Sequence, residues 1–178
     1  MIRIANGQGF WGDWLEAPVR LVEQGRLALD SVRPGKPYTL RQLLQHRAGV
    51  PNYGALKAYH AAVARNDPPW PRARLLEAVG GDRLDFQPGA GWAYSNIGYL
   101  FVRDSIEAAT GTSLATAVQE LVVAPLGLPS VRLATTLADM AEIFWPALRT
   151  YDPGWVCHGC LIGTPIDAAK VLHALFSG

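Results

Sequence analysis

The segment covering residues 86–111 constrains the fold more than any other part of this chain. It opens with Gln-Pro-Gly, a turn sequence in which proline fixes one φ angle and glycine accepts a positive one. Three polar residues follow, Tyr94, Ser95 and Asn96, and then an apolar stretch that stops at a glycine. Ser95 or Asn96 can cap a helix at its start, and glycine is favoured just past a helix end. The segment therefore predicts a turn followed by a well-buried helix that ends at Thr110.

Helical patterns recur along the rest of the chain, whereas strand patterns are few and short. Thr39 and Gln42 have the spacing of a capping box, and Thr164-Pro165 has the form of an N-cap followed by proline at the first helical position. Apolar periodicity predicts further helices up to residue 25, over 54–66, 72–79, 114–124 and 137–145, and from 165 onward. Weak strand candidates lie at 2–5, 27–30 and 154–163. The sequence predicts a mainly α domain.

Composition narrows the function classes. The 178 residues suffice for one domain or one domain plus a fragment, and 49% of them are hydrophobic against 17% charged. A net charge of +1 indicates no nucleic-acid partner and no attraction to anionic membranes. No apolar run of about 18 residues predicts a membrane span, and the N-terminus does not have the form of a signal peptide. We therefore expect a cytoplasmic protein without a disulfide framework, since only two cysteines are present.

The chain resembles the serine β-lactamase and penicillin-recognising hydrolases from about Leu21 to Phe176, and most resembles class C β-lactamases and related esterases and D-Ala-D-Ala peptidases. The matching text is LVEQGRLALD, YTLRQLLQHRAGVPNYG, FQPGAGWAYSNIGYLFVRDSIEAATGTSL, APLGLPSVRLA and CLIGTPIDAAKVLHALF. Tyr94-Ser95-Asn96 is similar to the family motif Tyr-x-Asn. The resemblance implies that Tyr94 shuttles a proton and that Asn96 hydrogen-bonds the amide of a small acyl or peptide ligand. The implied activity is hydrolysis of β-lactams, esters or D-Ala-D-Ala peptides through an acyl-serine.

The fold implied by the resemblance is the helical subdomain of the β-lactamase/transpeptidase-like fold, with most of the α+β sheet missing. The chain stops where the family continues into its C-terminal strands. We expect residues 1–25 to form an atypical N-terminal segment with a short strand, a glycine-rich loop and a helix, and residues 26–178 to form the family-like helical domain. Residues 2–13 loosely resemble the start of the acyclic terpene utilisation protein family, which suggests a fusion that replaced the serine-bearing segment.

Two family motifs are absent from the sequence. The motif Ser-x-x-Lys needs a serine three positions before a lysine, but the three lysines are preceded at that spacing by Arg33, Gly54 and Asp167. No lysine begins a Lys-Thr-Gly motif either. Ser95 is a weak substitute nucleophile because the sequence places no histidine beside it. We expect a chain that is catalytically incomplete by itself, that uses no cofactor, and in which Tyr94 and Asn96 are relic cleft residues.

A glycine fingerprint offers a rival interpretation. Gly7, Gly9 and Gly12 have G-x-G-x-x-G spacing after a candidate strand, and Asp30 lies eighteen residues further on, where a ribose-binding carboxylate is expected. Pro18 argues against a small dinucleotide-binding protein because it falls where the first helix of such a site should be uninterrupted. We therefore expect no bound dinucleotide.

Cys157 and Cys160 have C-x-x-C spacing with His158 between them. A redox pair or half of a zinc site would use these residues. No second cysteine pair completes a metal site, so two buried thiols in a strand is the simpler interpretation. The other histidines, His46, His60 and His173, fall in apolar helical patterns that favour structural roles.

A binding or assembly module is the alternative from a different functional class. If the strands that cover the helices in the family are missing, the apolar faces of the central and last helices remain exposed. The last helix carries Ile166, Val171, Leu172, Leu175 and Phe176. We expect self-association, with a homodimer contact at Phe176 and its neighbours.

Overall fold

The computed structural model describes residues 16–81, 83–141 and 143–177. The helices are α1 (Glu16–Glu23), α2 (Leu40–Leu44), α3 (Lys57–Ala64), α4 (Arg72–Ala78), α5 (Asn96–Thr110), α6 (Leu114–Val118), α7 (Ala124–Leu126), α8 (Leu137–Met140) and α9 (Pro165–Ser177). Two short strands, β1 (Arg132–Ala134) and β2 (Cys160–Ile162), complete the regular structure of the described residues. The prediction of a mainly α chain is confirmed, and the strand predicted at 2–5 lies outside the described residues.

Helix α5 forms the centre of the molecule. Its residues Ile97, Val102 and Ile106 are completely buried, and the helix contacts α1, α2 and α6. It ends as the sequence predicts, with Gly111 in the left-handed conformation at φ 72° and its N–H donating to the Glu107 carbonyl at 2.8 Å. Because the core surrounds α5 on several sides, the N-terminal end of this helix has a fixed position.

Helix α2 begins with the predicted capping box. The Thr39 hydroxyl accepts from the Gln42 backbone N–H, and the Gln42 side chain accepts from the Thr39 backbone N–H at 3.0 Å. These two bonds satisfy backbone N–H groups that have no hydrogen-bond partner within the helix. The helix is short: it ends at Leu44, and the following residues 45–52 form a loop against the start of α5.

The segment between α6 and α7 departs from a single α-helix. Residues Gln119–Val123 form one π-helical turn, which continues directly into α7. Gly127 then ends the helical run at φ 60°. The predicted helix over 114–124 is thus present, with a wider turn inserted in its second half.

Two predicted elements are corrected. Residues 27–30 are not a strand, because the backbone N–H groups of Arg26 and Leu27 both donate to the Leu21 carbonyl, at 2.8 and 3.1 Å, and turn the chain back over the end of α1. The predicted strand over 154–163 shrinks to β2, since residues Pro153–Trp155 form a 3₁₀ turn. Strand β2 pairs antiparallel with β1, with Leu161 opposite Leu133.

The helix predicted over 137–145 is also shorter. Its start is capped as a box by Thr136 and Asp139. The bonds after it run between residues three apart, from the Ala141 N–H to Ala138 and from the Ile143 N–H to Met140, both at 3.2 Å. This tightening ends the α-helix at Met140.

The core has a large and a small part. The large cluster surrounds α5, and the small one joins the two strands to α8 through Ala134, Met140, Ile143, Val156, Cys160 and Ile162. None of the helices formed by the described residues combines the length and the hydrophobicity that a bilayer crossing requires.

Candidate functional site

The loop after α2 holds the turn that precedes α5. Gly89 has φ 87°, its N–H donates to the Arg47 carbonyl at 2.8 Å, and the Arg47 side chain donates back to the Gly89 carbonyl at 2.6 Å. Gly49 lies so close to the same segment that an added Cβ would be 2.1 Å from the Phe86 carbonyl oxygen. Only glycine fits there, which keeps the two loops in contact.

Ser95 is the N-cap of α5. Its hydroxyl oxygen accepts from the Gly98 N–H at 2.9 Å, and the same hydroxyl donates to the Pro51 carbonyl at 2.9 Å. The residue is only 3% exposed. One polar residue of the Tyr-Ser-Asn run is therefore explained by capping, and its hydroxyl is engaged as both donor and acceptor.

Tyr94 and Asn96 are brought together by the geometry of the helix start. The Tyr94 hydroxyl donates to the Asn96 side-chain oxygen at 3.0 Å. The Asn96 backbone N–H and side-chain amide both donate to the Asn52 side-chain oxygen at 3.1 Å. The result is a chain of polar side chains, Tyr94–Asn96–Asn52, at the N-terminal end of α5; we call it the Tyr94 site.

His46 completes the Tyr94 site, and sequence reasoning missed it. It lies in the loop after α2 with φ 57°, not in a helix as its apolar surroundings predict. Its ring centroid is 4.6 Å from that of Tyr94 and 4.9 Å from that of Tyr99. Its Nδ1 accepts from the Ser95 backbone N–H at 3.2 Å, so the ring carries its proton on Nε2 when neutral. Burial lowers the pKa of His46, which favours that neutral form.

The Tyr94 phenol is held in its protonated form. Burial is the largest influence on its pKa, followed by Tyr99 and Cys157, and each of the three raises the pKa above the ordinary tyrosine value. A general base needs the opposite shift, which a neighbouring cation supplies by favouring the phenolate. As described, Tyr94 is a hydrogen-bond donor and a poor base.

Two of the three lysines lie in helices other than α5. Lys57 begins α3, and Lys170 on α9 forms an ion pair with Asp167 at 2.9 Å. Asp167 in turn accepts from the Ser130 hydroxyl at 2.6 Å and fixes the start of α9. The Ser130 bond links the segment before β1 to the start of α9, and the Lys170 ion pair lies within α9.

Gly7, Gly9 and Gly12 of the glycine fingerprint lie outside the described residues. Asp30 is exposed and receives two hydrogen bonds from Arg41, at 2.6 and 2.8 Å. Both carboxylate oxygens are therefore engaged by a guanidinium within the same domain.

The cysteines are separate thiols rather than a disulfide. Cys160 lies in β2, whereas Cys157 precedes the strand. Burial raises the pKa of Cys157 to about 12 and that of Cys160 to about 11, which makes both thiols weak nucleophiles. Within the described residues, no three His, Cys, Asp or Glu side chains are grouped to hold a metal ion. His158, which lies between the two cysteines in the sequence, is buried.

Comparison with known proteins gives the chain its relatives. A family model described as Beta-lactamase matches residues 17–172. Penicillin-binding protein 4* of Bacillus subtilis (strain 168) is 31% identical over an alignment of 128 residues, and the match covers 65% of this chain and 27% of that protein. Lovastatin esterase of Penicillium rubens is 28% identical over an alignment of 127 residues, and the match covers 68% of this chain and 30% of that protein. The chain thus spans less than a third of either relative.

Solved structures share the fold. The D-stereospecific amidohydrolase from Streptomyces sp. superposes with a TM-score of 0.80 at 23% identity, over 98% of this chain and 61% of that chain. The penicillin-binding protein from Bacillus halodurans superposes with a TM-score of 0.69 at 19% identity, over 99% and 59%. At these sequence identities, the comparison with solved structures shows a shared fold only.

Proposed function

Because this chain belongs to the Beta-lactamase family, which includes the penicillin-binding-protein-like serine hydrolases, we propose that its Tyr94 site binds acyl or amide groups without forming an acyl-enzyme. In this proposal the chain is a catalytically incomplete member of a hydrolase family. Tyr94 and Asn96 are binding residues, and residues 26–178 are the family-like helical domain.

The observation that carries the proposal is the hydrogen bond from Tyr94 to Asn96. It orients the Asn96 side chain with its oxygen toward the phenol, while the amide nitrogen donates to Asn52. A side-chain amide has two N–H groups, so the second is suited to a ligand carbonyl. The phenol oxygen can accept from a ligand N–H. This pairing suits an amide or a related acyl group.

The absence of acyl transfer rests on three properties of the groups present. The sequence holds no Ser-x-x-Lys motif. The Ser95 hydroxyl is engaged as donor and acceptor. The Tyr94 pKa is raised, so the phenol does not remove a proton near neutral pH. Acyl transfer needs a nucleophile and a base beside it, and the groups present provide neither.

The test is covalent labelling with a fluorescent penicillin. We expect no label on the denatured chain after incubation with excess reagent, under conditions in which Penicillin-binding protein 4* of Bacillus subtilis serves as the positive control. The matched variant is Ser95→Ala. A stoichiometric label that survives denaturation and is lost in Ser95→Ala would contradict the proposal and make Ser95 the nucleophile.

Binding is tested separately by NMR titration with a D-alanyl peptide amide. We expect amide resonances of the α5 start to shift in the wild-type chain, and to shift much less in Asn96→Ala. Arg65→Gln, which changes an exposed ion pair with Asp67, is the control. Shifts of equal size in Asn96→Ala would remove the Tyr94 site from the proposal.

A further inference from the structure

An exposed tryptophan lies beside the Tyr94 site. Trp92 is 66% exposed, more than any other tryptophan that the structure describes, although tryptophan side chains are highly buried on average. Its ring centroid is 5.9 Å from that of His46, with the two planes at 80°. The same imidazole lies 4.6 Å from the Tyr94 ring. Trp92 and Tyr94 are therefore neighbours of one side chain, and the Trp92 ring borders the Tyr94 site.

The main chain holds Trp92 in place from both sides. Before it, Gly91 packs on the Phe86 ring so closely that an added Cβ would be 3.2 Å from a ring carbon. After it, the Ala93 N–H donates to the His46 carbonyl at 3.0 Å. The exposed ring is therefore attached to an anchored segment. Binding to a side chain whose backbone is already fixed loses less conformational entropy, which favours a ligand at this position.

Hydrogen-bond donors accompany the Trp92 ring at the start of α5. The Asn52 side-chain oxygen accepts from the Asn96 backbone N–H, so the other terminal atom of Asn52 is its amide nitrogen. Among the hydrogen bonds of the described residues, none involves this nitrogen, the Trp92 indole N–H or Nε2 of His46. Nε2 carries the proton of the neutral His46 ring. These donors are suited to a ligand carbonyl beside an exposed aromatic surface.

On the basis of the proposed function of the Tyr94 site, we propose that Trp92 extends this site and selects ligands that carry an aromatic ring close to the acyl or amide group. The ligand carbonyl accepts from the side-chain amides of Asn52 and Asn96, and the ligand ring lies against the Trp92 indole. Contact between two aromatic rings is more favourable than the buried area alone gives, so this position favours an aromatic ring.

The experiment is an NMR titration of the whole chain with phenylacetamide, acetamide, benzyl alcohol and glycinamide. We expect phenylacetamide to bind with a Kd of about 10 mM or tighter and to shift the Trp92 indole N–H resonance together with backbone amides at the start of α5. Acetamide lacks the ring, benzyl alcohol lacks the amide, and glycinamide has an ammonium group in place of the ring. Each should bind at least about fivefold more weakly than phenylacetamide.

Variants locate the surface that binds the ring. Trp92→Ala should weaken phenylacetamide binding at least about fivefold, whereas Trp92→Phe, which keeps an aromatic ring, should weaken it less than about twofold. Trp145→Ala is the matched control and should leave the Kd unchanged, since Trp145 is 38% exposed and packs on Phe144 instead. The D-alanyl peptide amide should shift the start of α5 equally in Trp92→Ala and in the wild-type chain, which shows that the Tyr94 site of the variant is folded.

Failure of the Trp92 role can be told apart from failure of the proposed function. If the D-alanyl peptide amide binds but phenylacetamide binds no more tightly than acetamide, Trp92 has no part in the site, although the proposed function stands. The role of Trp92 is also wrong if glycinamide or benzyl alcohol binds as tightly as phenylacetamide, or if Trp92→Ala behaves like Trp145→Ala. If neither phenylacetamide nor the D-alanyl peptide amide binds, the proposed function and the role of Trp92 are both wrong.

Discussion

At the scale of single residues, the Tyr94 site depends on two side chains from the loop after α2. His46 contacts the Tyr94 ring and accepts from the Ser95 N–H, and Asn52 accepts two bonds from Asn96. Neither residue belongs to the Tyr-x-Asn motif. Both are polar, and their partners lie at the start of one helix. Together they fix the orientation of Tyr94 and Asn96, and under the proposed function they are positioning residues for the bound ligand.

The tyrosines give a prediction about pH. The pKa is raised in all six, to about 12 in Tyr38 and Tyr99, and burial is the largest cause in each. Unfolded tyrosines titrate near about pH 10. Above that pH the unfolded chain therefore binds fewer protons than the folded chain, so the stability contributed by these phenols is complete below about pH 10 and falls as pH rises. We expect tyrosinate absorbance to appear only as the chain unfolds.

The measurement is a spectrophotometric titration followed in parallel by circular dichroism. The informative variant is Tyr94→Phe, which should leave the folded-state curve below about pH 10 unchanged. If one phenol of the folded wild-type chain titrates below that pH and is missing in Tyr94→Phe, then Tyr94 is a poised base. The proposal that the site lacks acid–base chemistry would then be abandoned.

At the scale of elements, the ends that carry cap residues were predictable. Thr39 and Gln42 predict the start of α2, and Gly111 predicts the end of α5, because these residues satisfy or avoid backbone groups locally. The prediction of a strand at 27–30 was wrong because bonds to a residue outside the segment, not its local pattern, decide its structure. Its apolar alternation resembles a strand, but the Leu21 carbonyl captures the preceding N–H groups and no neighbouring strand pairs with this segment of the described chain.

The caps of α5 and α6 give a prediction about stability. Ser95 and Ser113 both accept from a backbone N–H at their helix starts, but Ser95 is buried and also donates to the Pro51 carbonyl. Loss of an exposed cap lowers the free energy of unfolding by about 1 kcal/mol, and leaving a buried polar group without its hydrogen-bond partner lowers it by about 1–3 kcal/mol more. We expect Ser95→Ala to lower the free energy of unfolding by about 2–4 kcal/mol and Ser113→Ala by about 1 kcal/mol.

Urea denaturation of the two variants tests this difference. Because both changes remove the same hydroxyl from the same kind of position, Ser113→Ala is the matched control. Equal losses would show that the bond to Pro51 contributes nothing to stability. In that case Ser95 would be a cap alone, and its hydroxyl would be less firmly engaged than the distances indicate.

At the scale of the whole molecule, the family could be recognised from the sequence, but the surroundings of Tyr94 and Asn96 could not. His46 and Asn52 lie 49 and 44 residues from their partners in the chain, and no local pattern specifies such contacts. The loops meet because Gly49 permits a close approach to Phe86 and because α2 packs on α5.

The exposed apolar residues of α9 give a prediction about association. Ile166, Leu172 and Phe176 are 71%, 44% and 88% exposed. Exposed apolar area forgoes about 25 cal/mol per Å² that burial would gain, so a second copy that covers this face stabilises both. We propose that the chain forms a homodimer through α9, with Phe176 at the contact. The predicted binding or assembly role would use the same face.

Sedimentation velocity over a hundredfold range of concentration measures this association. We expect the sedimentation coefficient of the wild-type chain to rise with concentration and that of Phe176→Ser to stay at the monomer value, because the variant removes the most exposed apolar side chain of α9. Val32→Ser is the control, since Val32 is 61% exposed but lies before α2. A monomer at every concentration, or equal loss of association in both variants, would show that the α9 face does not pair with a second copy.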